Sequence, residues 1–144
     1  MNNVVFRSFK QGDYEEACRW WEWWWKGETG IEKEILPNDE NCYVIEHEGT
    51  PVFMGFLFLG GNAPIGYLTW IVSNPNYRGP NRKKLMRLFI TNTEFKAKQQ
   101  GVKFMFTVCG DKYLRQTHKD LRWFVDESRP VSYTHLTLPT KRIV

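Results

Sequence analysis

The feature that most constrains this chain is a succession between Ile65 and Val108: a long apolar run, a basic break, an amphipathic stretch and a second apolar run. "IGYLTWIVS" (Ile65 to Ser73) is apolar on both faces, as a strand in the middle of a covered sheet must be. "NPNYRGPN" interrupts it with turn residues. Leu85, Leu88, Phe89 and Phe95 then recur at helical spacing, which predicts a helix from about Asn81 to Gln100. Gly101 stops that helix, and "VKFMFTV" predicts a strand at once. Strand, helix and strand in this order make a β-α-β crossover.

The flanks extend the pattern. "VVFRSF" (Val4 to Phe9) is a short β-rich run, after which Gly12 and Asp13 supply a turn and a cap. Tyr14, Ala17, Cys18, Trp21 and Trp25 form one apolar stripe through "DYEEACRWWEWWWKG", ended by Gly27. Trp24 borders the stripe, Trp20 lies on its flank and Trp23 on the far side, so one helix face cannot bury all the tryptophans. An acidic, loosely helical stretch follows from Glu28 to Glu40. "CYVIEH" and "VFMGFLFL" then read as a hairpin turned by "EGTP", Asp111 to Leu121 as a last helix, and "WFVDE" as the start of a strand.

At 144 residues this is one domain of α/β (α+β) class. An apolar content of 42% with 16% aromatic suits an aromatic-rich globular core. No apolar run approaches the ~20 residues that span a bilayer, and "MNNVVFRSFK" lacks a signal peptide's apolar stretch, so the expected location is cytoplasmic. Cys18, Cys42 and Cys109 are odd in number and widely spaced; they read as buried free thiols, with neither a disulfide framework nor a metal site.

The end of the chain reads differently. "VSYTHLTLPT" (Val131 to Thr140) back-translates as GTC TCT TAT ACA CAT CTG ACG CTG CCG ACG, which resembles a transposon-end sequencing adapter read in frame. Pro130 and Lys141 extend that match on both sides. The expectation is a domain over residues 1–129, truncated at its C-terminus, and a poorly ordered non-native tail over 130–144, with the partner of the last strand missing. Setting aside Lys141 and Arg142 leaves 18 basic against 16 acidic residues, in place of 20 against 16.

The order β-α-(α)-β-β-β-α-β-α-β, with "FRSFKQGDYEEA", "SNPNYRG", "KQQGVKFMFTV" and "RQTHKDLRWFV" in sequence, resembles the GNAT superfamily of acyl-CoA-dependent N-acyltransferases from Val4 to about Glu127. The resemblance implies a mixed central sheet with helices on both faces and a C-terminal strand that is missing here. It implies acetyl-CoA as cofactor and an amine as acceptor, either a small molecule or a protein. Backbone N–H groups around Ile71, Val72 and Ser73 would polarise the thioester carbonyl. The pyrophosphate window is Arg78-Gly79-Pro80-Asn81-Arg82-Lys83, in which Asn81 and Lys83 replace the small residues of the family's motif and Pro80 removes an N–H donor. Arg78, Arg82, Lys83 and Lys84 offer charge-assisted bonds instead.

Counting along "DKYLRQTHKDLRW" sets His118 at the place of the family's proton-donating tyrosine and Asp111 at that of an asparagine on the cofactor arm; Tyr113 is the alternative acid. Trp20 and Trp23 lie on the helix that borders the family's acceptor site and suit an apolar or aromatic acceptor. The nearest candidate bases, Glu46 and Glu48, read better as a solvated hairpin tip. Eight Lys and Arg between Arg78 and Lys103 face only Glu94, yet no nucleic-acid motif accompanies them. The altered loop also fits a catalytically inactive GNAT-fold binding or structural module, of the kind common in phage genomes.

Overall fold

The computed structural model describes residues 2–28 and 30–136. Its strands are β1 (Val4–Ser8), β2 (Cys42–His47), β3 (Thr50–Leu59), β4 (Ile65–Ser73), β5 (Phe104–Val108), β6 (Phe124–Val125) and β7 (Val131–His135). The helices are α1 (Asp13–Trp24), α2 (Arg82–Gln99) and α3 (Lys112–Asp120). The strands form one mixed sheet in the order β1-β2-β3-β4-β5-β7-β6, with β4 parallel to β5. The crossover that the sequence predicts is therefore present. Among the described residues, no helix is long and apolar enough to cross a membrane.

The chain divides into two compact units, Met1–Phe56 with Trp70–Phe89, and Leu57–Thr69 with Ile90–Val144. In the first, successive residues of β3 show how the sheet is covered. Gly55 faces the Phe89 ring of α2 so closely that an added Cβ would lie 2.9 Å from it. Phe56 packs on Trp21 of α1 at 5.6 Å and on Phe9 at 5.5 Å. Adjacent strand residues point to opposite faces, so α1 and α2 cover opposite sides of this half of the sheet. Glycine at position 55 is what lets α2 approach.

The buried face of α1 is rotated from the predicted stripe. Ala17, Trp20 and Trp21 are buried, while Trp25 is exposed. Trp20 can turn inward because its indole N–H donates to Glu16 Oε2 at 2.8 Å, which satisfies its polar atom locally. In α2, Leu85 and Phe89 of the predicted stripe are buried, while Leu88 and Phe95 are exposed and Ile90 and Ala97 are buried in their place. Of the cysteines, Cys42 alone is fully buried, its thiol pushed up to about 12 chiefly by burial; Cys18 and Cys109 are half-buried.

In the second unit β7 corrects the expectation of a disordered tail and an unpaired last strand. Val131–His135 pairs antiparallel with β5 from Val108↔Val131 to Phe104↔His135, and β6 pairs with it at Phe124↔Tyr133 and Val125↔Ser132. The reason lies in the alternation of "VSYTH": Ser132 and Thr134 are buried on one side, while Tyr133 stacks among Phe104 and Phe124 on the other. Leu136 is buried as well. The rest of the expected tail, Thr137 onward, lies outside the described residues.

Candidate functional site

The exit of β4 is irregular where a strand would ordinarily be smooth. Trp70 has φ 53°, in the left-handed region that a bulky residue avoids unless the surroundings hold it there. The ladder to β5 covers Ile65↔Phe104 to Tyr67↔Phe106, while β4 itself continues to Ser73. One side chain then organises the turn. Asn74 donates from its main chain to Val52 O and from Nδ2 to Pro51 O, each at 2.8 Å, and its Oδ1 accepts from Asn76 N at 2.9 Å. Its carbonyl accepts from Tyr77 N at 3.2 Å. These bonds moor the loop to the start of β3.

Tyr77 carries the next step. Its hydroxyl meets His47 Nδ1 at 2.9 Å, and its ring lies under Gly79, where a Cβ would come within 2.8 Å of the hydroxyl oxygen. Glycine at 79 leaves room for this close approach, which any larger residue would meet by displacing the Tyr77 ring. The chain then turns at Pro80, and the Asn81 carbonyl accepts the first helical bond from Leu85 N at 2.9 Å, as a residue just outside a helix does.

Charge is concentrated at this helix start. The first turn of α2 contains no acidic residue. Among the described residues Arg78, Arg82, Lys83 and Lys84 make no ion pair and no side-chain hydrogen bond; Arg82 is half-buried and the two lysines are exposed. The N-terminal end of a helix is already positive by its dipole, so unpaired cations there raise one another's energy. A polyanion placed among them would remove that cost and collect charge-assisted bonds. Ile71, Val72 and Ser73 lie at the end of β4 immediately before the loop, within the same unit.

The residues assigned to α3 are distributed differently. Asp111 caps the helix, its Oδ1 accepting from Leu114 N at 2.9 Å. Tyr113, in the first turn, is 83% exposed. His118 has no exposed surface and packs on Trp123 at 4.6 Å. Burial lowers its pKa to about 4; the Leu114 carbonyl opposes that shift, but neither ring nitrogen forms a complete hydrogen bond. A neutral imidazole enclosed this way lacks the proton and the access that a donor needs at neutral pH, so the structure gives His118 a place in the core.

Two further expectations change. Trp20, at 2% exposure, packs in the core, whereas Trp23 stands 53% exposed. Glu46 is not a solvated tip: Arg7 donates to it from Nη2 at 2.7 Å and from Nε at 2.9 Å, and also grips Asp13 from Nη1 at 2.6 Å. Glu48, two residues on, is exposed. Sequence reasoning did not pick out Trp24, His47, Asn74 or Tyr77. Of these only Asn74 carries a sequence signal, because Asn-Pro-Asn is turn chemistry; the others depend on contacts between distant residues.

No protein-family model matches the chain, and no curated protein matches it. Solved structures do. N-acetylglutamate synthase from Neisseria gonorrhoeae, solved with coenzyme A and N-acetyl-glutamate, aligns with 96% of this chain at a TM-score of 0.67 and 16% identity. This chain spans 36% of that one. The ribosomal-protein-S18-alanine N-acetyltransferase of Escherichia coli aligns over 94% of this chain and 96% of its own at a TM-score of 0.68 and 10% identity. An acetyltransferase of the GNAT family from Staphylococcus aureus Mu50 aligns over 94% and 100%, respectively, with a TM-score of 0.64 and 12% identity. The order of strands, the parallel β4–β5 pair and these alignments together give the chain the fold of the GNAT acetyltransferases.

Proposed function

We propose that the protein is an acetyl-CoA-dependent N-acetyltransferase that passes the acetyl group directly to an amine. The observation that carries this reading is the set of four unpaired cations, Arg78, Arg82, Lys83 and Lys84, at the passage from β4 to α2 in a chain of this fold. Arg78, Arg82 and the lysines hold the pyrophosphate by charge, which compensates for Pro80, Asn81 and Lys83 in a motif that ordinarily relies on small residues and N–H donors. Main-chain N–H groups of Ile71, Val72 and Ser73 polarise the acetyl carbonyl as the amine attacks. The thiolate that leaves takes its proton from Tyr113 or from water. Exposure favours Tyr113 over His118, and Asp111, already a helix cap bearing like charge to a phosphate, is left to its structural role.

Calorimetric titration with acetyl-CoA tests the reading. Saturable heat together with a rise in melting temperature is the expected result. Absence of both at millimolar cofactor would remove the enzyme and leave the second reading, an inactive GNAT-fold module that is favoured by Asn81 and Lys83 at the small-residue positions. A Tyr113→Phe variant that keeps cofactor affinity and loses turnover would assign the acid.

A further inference from the structure

Three consecutive tryptophans close α1, and all of them reach the surface: Trp23 is 53% exposed, Trp24 39% and Trp25 37%. They are held in place. Trp23 meets Trp24 edge-on at 4.6 Å, and Trp25 stacks on the buried Trp21 at 5.9 Å. Trp24 donates its indole N–H to the carbonyl of Ser73 at 2.8 Å, which ties this aromatic group to the last residue of β4. Trp23 and Trp24, in contact with each other and fixed at the surface, form a preformed contact area, because their rotamer freedom has already been given up.

The charge of the segment around them is mostly acidic, with Lys26, exposed beside Trp25, as the exception. From Asp13 to Glu40 there are nine Asp and Glu against three Lys and Arg. Asp13 and Glu16 are engaged with Arg7 and Arg19. Glu22 and Glu28, which bracket the tryptophans in sequence, are exposed and make no side-chain hydrogen bond or ion pair among the described residues. The same segment already uses one ring for a cation: Lys33 Nζ lies 5.9 Å from the centre of the Tyr14 ring. Exposed indole faces with free carboxylates in excess over the exposed lysine, Lys26, favour a cation.

We infer that Trp23 and Trp24 form the seat for the positively charged tail of the acceptor, an amine carrying a second cation at its far end. The inference rests on the proposed acyl transfer at the end of β4. One amine of such a substrate must lose its proton to attack, while the distal ammonium or guanidinium keeps its charge and sits on the indoles within this acidic segment. A purely apolar tail would cover the same rings but leave the carboxylates unanswered.

The test compares 1,5-diaminopentane with 1-aminopentane, which differ only in the distal cation. In the full chain without cofactor, the diamine is expected to change tryptophan emission saturably at millimolar concentration and the monoamine to have little effect. In acetyl transfer, Trp23→Ala is expected to raise KM for the diamine on the order of tenfold with kcat little changed, and Trp23→Phe to recover most of the loss. Glu22→Gln should weaken the diamine and leave the monoamine alone. Equal response to both amines, or equal loss of both in Trp23→Ala, overturns the inference in favour of an apolar seat. A chain that binds acetyl-CoA but shows no diamine effect keeps the transferase reading and loses the seat. A diamine effect in a chain that binds no acetyl-CoA keeps a cation seat on α1 and overturns the inference that it serves an acetyl acceptor.

Discussion

The two helices of the first unit begin in opposite ways. α1 opens with Asp13, Glu15 and Glu16 in its first turn, a sign that suits the positive end of the helix dipole. Those charges are largely answered from within the chain. Arg7 spans Asp13 and Glu46, and Glu16 bonds both Arg19 and Trp20. α2 opens with Arg82, Lys83 and Lys84, of the wrong sign for its dipole, and nothing among the described residues pairs with them. A helix start that completes its own electrostatics belongs to the scaffold. One that leaves it incomplete has charge to offer a ligand, as the proposed cofactor site requires.

The largest expected effect tests the second half of this contrast. Replacing Arg82 and Lys83 together by alanine should weaken acetyl-CoA at least about 100-fold by calorimetry, since each charged hydrogen bond is worth roughly 1.5–3 kcal/mol. The matching change at α1, Glu15→Gln, should leave that affinity unaltered. Equal affinities for the double variant and the parent would mean that the cations of α2 hold no cofactor.

The next effect tests the first half. Arg7→Ala leaves two mostly buried carboxylates, Asp13 and Glu46, without their shared cation, with side chains only 8% and 15% exposed. The expected loss of unfolding free energy is about 3 kcal/mol, read from denaturant titration. A loss confined to a few tenths would show that α1 does not depend on this pairing.

α3 sharpens the comparison, because its start is also internally capped and its candidate acid is buried. A histidine whose folded pKa is lowered to about 4 takes up its proton more readily in the unfolded chain, so native stability falls as pH drops from the ordinary histidine range toward 4. That amounts to roughly 2 kcal/mol between pH 7 and 4.5. His118→Phe should flatten this part of the stability–pH curve measured by thermal melts. If the variant retains the parent's slope while turnover collapses, His118 is a catalytic group after all and α3 belongs with α2.

The same contrast marks what could be read in advance. The crossover from Ile65 to Val108 and the basic loop were legible because they rest on local patterns, namely apolar runs, turn residues and a charge cluster. The face that α1 buries was not, since whether Trp20 or Trp25 turns inward depends on Glu16 accepting an indole proton and on Phe56 lying opposite Trp21. His118 matched a family position by counting, but counting along a helix does not say whether a ring meets solvent or Trp123. In "VSYTH" the likeness of the codons to an adapter and the fitness of the residues for a strand are separate properties. The second is met through pairing with β5 and β6, and resistance to limited proteolysis after Arg129 is the expected sign of that pairing.

The smallest expected effect is also the most discriminating, because it separates stability from binding within one residue. If Lys84 is kept at the start of α2 for an incoming polyanion, it costs the unliganded fold a little through the helix dipole and through Arg82 and Lys83 beside it. Lys84→Glu should therefore raise the melting temperature of the free protein, by about 1–4 °C for roughly 0.3–1 kcal/mol. The same variant should lower acetyl-CoA affinity, and both effects should shrink as salt is raised. A scaffold lysine with no ligand gives the first effect without the second. A lysine engaged by a carboxylate in the folded chain gives a lower melting temperature, which would contradict the unpaired state on which the contrast between α1 and α2 stands.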